Sequence, residues 1–228
     1  TRYPNKNLGR MRAHHFVLGY DWSITKNLRM KIEPYYQLLY DVPVVDGTAY
    51  SMINFMSDWT FDKRLENSGT GTNMGVDITL ERFLKNGLYF MTTASIYDSK
   101  YTGGDNVTRR TRYDGGYVVN LLGGKEWVIN DKNMLSLNLK FTFMGPYWHH
   151  PVDEQATDLQ EMVVYAENKP FTYRNSELEA MTDLTVNYRI NGTNASSIFS
   201  LQVKNIVGKQ YMGKMYNLEE QQIENDFF

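Results

Sequence analysis

Cysteine is absent from the 228 residues, and only four histidines and six prolines occur. Without thiols there is no disulfide framework, thiolate zinc site, iron-sulfur cluster or cysteine nucleophile. Long apolar runs are also missing: the longest, Met162 to Ala166, has five residues, against about 20 for a membrane-spanning helix. Twenty-four Lys and Arg oppose 26 Asp and Glu for a formal charge of -2, with no basic block. That leaves no electrostatic footprint for a nucleic acid partner. The opening Thr1-Arg2-Tyr3-Pro4 carries no signal-peptide pattern, which suggests a mature or excised piece. A mean hydropathy of -0.51 does not separate a soluble domain from a transmembrane barrel, whose lipid-facing and lumen-facing residues alternate and average out.

What is present is period-two alternation. Leu28, Met30, Ile32, Pro34, Tyr36, Leu38 and Tyr40 alternate with Arg29, Lys31, Glu33, Tyr35, Gln37 and Leu39, the signature of a strand. The pattern recurs at Phe16 to Ile24 and Leu135 to Phe143, and more weakly at Met74 to Leu80, Leu184 to Ile190 and Phe199 to Val203. In Leu88 to Tyr101 and Tyr117 to Val128 it is blurred by Thr92, Ala94 and Gly123-Gly124, and their faces stay unassigned. The expectation is eight strands of about 10 to 13 residues. Tight connections at Thr25-Lys26-Asn27, Leu84 to Gly87, Asn130-Asp131-Lys132-Asn133 and Asn191 to Asn194 are rich in residues that accept positive φ. They alternate with long ones at Val42 to Gly71, Thr102 to Gly116 and Gly145 to Glu177.

Such sorting describes an all-β, antiparallel up-and-down meander, part of a larger transmembrane β-barrel. Arg or Lys on the lipid face costs roughly 2 to 4 kcal/mol at the bilayer midplane. Arg29, Lys31 and Glu33 are therefore expected to line the lumen, with Asp77, Glu81, Lys140 and Arg189. Leu28, Met30, Ile32 and Leu38 then face lipid. Tyr20, Trp22, Tyr36, Tyr40, Trp127 and Tyr188 suit an interfacial aromatic girdle. Pro34 removes a ladder donor, so a local bulge is expected there. Both chain ends fall on the long-loop side, which implies a single partial domain over 1–228 lacking a final strand. Asp226-Phe227-Phe228 could imitate a terminal barrel aromatic, but the preceding Leu218 to Asn225 is polar and unpatterned.

Several motifs invite chemistry. Tyr147-Trp148-His149-His150, near Asp153 and Glu154, gathers aromatics and imidazoles in a long loop and is the candidate ligand-contacting segment. Adjacent histidines on extended backbone point to opposite sides and do not readily share a metal ion, so no metal site and no cofactor is expected. His14-His15 open a strand at the interfacial rim. Gly69 to Gly75 imitates a phosphate loop, but a strand follows, not a helix N-terminus, and the segment reads as a flexible lead into that strand. Gly123-Gly124 suggests a bulge or the close approach of an internal plug. A paired-carboxylate hydrolase would need one acid with a raised pKa in an apolar pocket, which nothing in a solvated lumen suggests, and no catalytic residue is assigned.

The segments Asn67 to Phe83 (NSGTGTNMGVDITLERF), Leu88 to Tyr101 (LYFMTTASIYDSKY), Tyr117 to Trp127 (YVVNLLGGKEW) and Asp183 to Asn205 resemble the C-terminal barrel portion of TonB-dependent outer-membrane receptors. The resemblance runs over nearly the whole chain. It implies residence in a cell outer membrane, contact with its lipid, and import of an iron chelate, cobalamin or glycan ligand. It also implies partnership with TonB and an N-terminal plug through parts absent from this chain, and with a surface lipoprotein in some members. The alternatives are a stand-alone porin or barrel enzyme, and a soluble β-sandwich or lipocalin-like binding module.

Overall fold

The structure, a computed structural model, describes residues 5–55, 63–130, 132–166, 169–174, 179–206, 211–217, 220 and 222–227. Its strands are β1 (Arg12–Val17), β2 (Tyr20–Thr25), β3 (Leu28–Val44), β4 (Glu66–Lys85), β5 (Leu88–Thr102), β6 (Thr108–Arg110), β7 (Tyr117–Ile129), β8 (Asn133–Met144), β9 (Trp148–His149), β10 (Tyr173–Arg174), β11 (Glu179–Asn191), β12 (Ser196–Val203), β13 (Tyr211–Asn217) and β14 (Gln222–Phe227). Ten of them form one antiparallel sheet in the order β1-β3-β4-β5-β7-β8-β11-β12, with β2 also on β3 and β6 on β5. β1 and β2 keep one register along β3, pairing Val17 with Tyr35 and Tyr20 with Ile32. They act as one interrupted strand, and the sheet is the up-and-down meander that the alternation implies. It is open: among the described residues β1, β2 and β12 each pair on one side only.

Tight turns and long loops alternate strictly. In the β4–β5 hairpin Asn86 (φ 55°) and Gly87 (φ 72°) both take the left-handed conformation, which suits the twist of a two-residue turn. Asp131, in the β7–β8 turn, lies outside the described residues. β3, β4 and β5 have 17, 20 and 15 residues, longer than expected, because the Gly-Thr stretch Gly69 to Thr72 is paired strand and not a flexible lead.

Pro34 causes an interruption, not a bulge. On the β4 side it pairs with Val76 in regular register. On the other side Leu18 N–H donates to Pro34 O at 3.1 Å, and proline has no N–H to return; there the edge strand breaks into β1 and β2. Gly123-Gly124 causes no bulge either, since β7 keeps constant register with β5 and β8. The close approach at Gly124 comes from Tyr89 and Asn138. β13 and β14 form a separate hairpin, so the C-terminal residues add no strand to the main sheet; Phe228 lies outside the described residues.

Register gives the sheet two unlike faces. One carries Phe16, Leu18, Tyr20 and Trp22, then Met30, Ile32, Tyr36 and Leu38, then Met74, Val76, Ile78 and Leu80, and continues through Ile96, Val119, Leu121, Leu135 to Phe143, Leu184, Val186, Phe199 and Leu201. These side chains are not sealed inside: Leu18 is 73% exposed, Ile96 64% and Leu201 66%. Charge on this face lies toward its edges, at Arg82 and Lys125 near the tight turns and at Asp98 and Lys100 near the long loops. The opposite face holds Arg29, Lys31, Glu33, Asp77, Glu81, Lys140 and Arg189, together with apolar Met91, Leu122 and Met181.

Burial concentrates at the long-loop end. A register shift between Leu39 and Val42, with Asp41 at φ 55°, adds one residue and turns the following even-numbered side chains to the polar face. Val42 and Val44 are thereby fully buried, as are Tyr101, Thr111 and Asp114, with Leu65 nearly so. Val44 and Ile53 press on Gly69 and Gly71, where a Cβ would have no room.

Candidate ligand-binding cavities at the long-loop end

Polar side chains on the charged face are bonded across strands at directly opposed positions. Asn73 donates to Gln37 at 2.7 Å, Ser99 to Asn73 at 2.6 Å and the loop residue Thr111 to Ser99 at 2.8 Å. A second ladder runs from Thr142 to Asn120 (2.9 Å) and from Asn120 to Thr93 (3.2 Å). Ser95 donates to Asp77 across β4 and β5. These bonds hold β3, β4, β5, β7 and β8 in register from the polar side and fix the rotamers that a ligand would meet.

Where this face meets the long loops it lines a cavity of about 560 Å³, bounded by His15 and Glu33, by Tyr35, Tyr97 and Tyr113, by Gln37, Asn73 and Asp77, and by Ile53 from the β3–β4 loop. Tyr35 and Tyr97 both pair with Gly75, and Tyr35 occupies the space a side chain there would need. His15 meets Tyr35 edge-on with ring centroids 6.0 Å apart. His14 points to the other face and stacks on Tyr40 at 5.1 Å. Thus two of the residues expected in the lumen, Glu33 and Asp77, reach this cavity. Arg29 is held by Asp21 instead, and Glu81, Lys140 and Arg189 lie elsewhere on the face.

Tyr147-Trp148-His149-His150 is tied into the loop layer. Trp148 and His149 form β9, paired with Arg174 and Tyr173 of β10. Two guanidinium groups lie over the Trp148 ring, Arg110 at 5.2 Å and Arg174 at 5.5 Å. Arg110 is anchored by Asp114 at 2.5 Å, and Arg174 donates to Pro146 O (3.0 Å) and Gly115 O (2.8 Å). His150 packs edge-on to Phe171 at 4.9 Å, and Phe171 to Tyr101 at 6.0 Å. Burial, then the nearby Arg112 and His150, push the His149 imidazole below its ordinary pKa. Both histidines line one smaller cavity, about 330 Å³, with Glu154, Tyr165, Tyr173 and Lys214. The short helix α1 (Glu154–Gln160) starts there, capped by Asp153 accepting from Ala156 N–H at 3.1 Å. Among the described residues no group of three or more His, Asp and Glu side chains is placed to hold a metal ion.

Local motif reading did not single out Tyr35, Gln37, Asn73, Tyr97 or Tyr113, because they meet only through pairing. Counting outward from Asn86-Gly87 brings Gly75 within one residue of its partner Tyr97; a register shift between Arg82 and Lys85 supplies the rest.

Comparison with protein-family models, with curated proteins and with solved structures returns no match for this chain.

Proposed function

We propose that this chain is a section of the wall of a transmembrane β-barrel in a cell outer membrane, with its layered long loops on the ligand-receiving side. In this reading it serves uptake of a scarce iron chelate, cobalamin or glycan, as TonB-dependent receptors do, and does no catalysis. The observation that carries the reading is the continuous apolar face running across eight successive strands, half-buried on β8 and with exposed side chains on the other rows, with its charges toward the two edges. In water such a surface would far exceed the few hundred Å² usual on a soluble monomer. Against hydrocarbon it has its partner. On the apolar face of β4 the uncharged span between Asp98's partner Met74 and Arg82 covers roughly 25 Å along the strand. The roles of TonB, a plug and a surface lipoprotein rest on the sequence resemblance alone.

The absence of cysteine permits a direct test. Single cysteines at Leu137 and Phe199 on the apolar face, and at Asn138 and Ser200 beside them on the other, are spin-labelled in the full protein within membranes. The apolar-face labels should relax with lipid-soluble oxygen and the others with a water-soluble nickel chelate. Equal access of the nickel chelate to all four would rule the membrane reading out.

A further inference from the structure

We infer that the 560 Å³ cavity is a binding site for an uncharged, hydroxyl-rich ligand of the oligosaccharide class; the inference deepens the uptake reading and rests on it for the ligand's route, not for the site itself. The volume falls within the range of about 300–1,000 Å³ that suits a small organic ligand. Three of its walls are phenol rings: Tyr35 from β3, Tyr97 from β5 and Tyr113 from the loop before β7. Each offers an apolar face for the C–H side of a sugar ring and a hydroxyl at its rim.

Charge narrows the class further. The lining carries the carboxylates of Glu33 and Asp77 and no Lys or Arg. An anionic ligand would lie against two like charges, with only the Lys31 ammonium that Glu33 already holds beside them. Glu33 is already paired with Lys31 outside the cavity, which reduces the pull on a cation. Asp77, bonded to the Ser95 hydroxyl, keeps its remaining lone pairs for hydroxyl donors, in charge-assisted bonds stronger than neutral ones. Gln37 and Asn73 are oriented by their mutual bond and by Ser99. Gln37 retains its amide N–H groups as donors, because the bond to Asn73 uses only its carbonyl oxygen. Fixed donors and acceptors beside aromatic faces match a polyhydroxylated ring better than a flat apolar one.

The test uses the full protein in detergent on an array of neutral, sulfated and amine-bearing oligosaccharides. Neutral members should be retained. Asp77→Asn and Tyr113→Ala should each weaken that retention at least tenfold, and Tyr165→Ala, in the smaller cavity, should leave it unchanged. Tyr113 is half exposed on a loop, so its truncation tests the site without depending on a core side chain, and a melting curve checks each variant. No neutral oligosaccharide retained, stronger retention of sulfated or amine-bearing ones, or equal retention by the Asp77 and Tyr113 variants would each overturn the inference. Spin labels that report lipid contact alongside an empty array would remove this site and leave the membrane reading standing; the reverse pattern would remove the membrane reading alone.

Discussion

The ring of Tyr89 lies across Gly124, its direct partner in the β5–β7 register, so closely that a Cβ on Gly124 would stand 2.6 Å from the phenol carbon. From there the Tyr89 hydroxyl reaches over β7 to Asn138 on β8. Tyr35 covers Gly75 in the same way, so an aromatic ring twice fills the space that a strand glycine leaves open.

Gly124→Ala should therefore push Tyr89 off Asn138 and cost about 1–3 kcal/mol, from lost hydrogen bonding and overpacking. Tyr89→Ala removes the obstacle. A double-mutant cycle read from thermal melting in detergent should show the two changes to be clearly less than additive. Additive losses would mean that the ring does not depend on the glycine.

Neighbouring substitutions on β11 should differ sharply in lipid. Val186 pairs with Leu137 and Leu201 on the apolar face, whereas Thr185 faces Asn138 and Gln202. Under the membrane reading Val186→Arg should cost about 2–4 kcal/mol of folding free energy in bilayers, and Thr185→Arg much less. Unfolding from lipid vesicles in denaturant measures both; equal costs would contradict a lipid-facing Val186.

Arg174 joins the two long loops at Gly115, Pro146 and Trp148. Arg174→Ala should loosen that junction at a cost of about 1–3 kcal/mol and expose the 145–174 segment to limited proteolysis. Lysine should not rescue it, since one ammonium cannot replace a planar fork that donates twice and stacks. Rescue by lysine would show that charge alone matters.

The pH dependence of the same loop follows from His149. Its folded pKa lies below the ordinary imidazole value, first because of burial and then because of Arg112 and His150. The native state thus binds fewer protons than the unfolded chain between those two values, and stability rises with pH there. The contribution is fully present above about 6.5 and is lost as the pH falls through the lowered folded value. Trp148 fluorescence and protease sensitivity, followed from pH 8 to pH 5, should report loosening only on the acid side of that range, and His149→Gln should flatten the profile.

The eight-row meander was legible because Leu28 to Tyr40 and Leu135 to Phe143 alternate large apolar with polar side chains, and because Asn-Gly chemistry marks the tight turns. Less of β4 and β5 could be read. Gly69 to Thr72 carries its alternation in small residues with no hydropathy contrast, while Thr92 and Ala94 sit on the apolar face as weak members. The larger cavity was invisible to motif reading, since it draws on β1, β3, β4, β5 and two loops. The Trp148-His149-His150 run drew notice through local density, yet its tryptophan packs with Arg110 and Arg174, which lie far from each other in sequence.

Past Ile96, where β7 stops pairing, β5 continues to Thr102 beside β6 and the long ends of β3 and β4. Those six further residues raise one flank by about 20 Å. Under the uptake reading, a solute arriving from the loop side meets a tall parapet backed by the N-terminal strands and a low sill over β7, β8 and β11. Changes in the segment above that sill should tune how readily the interior is reached, while changes on the parapet should alter stiffness and leave admission alone.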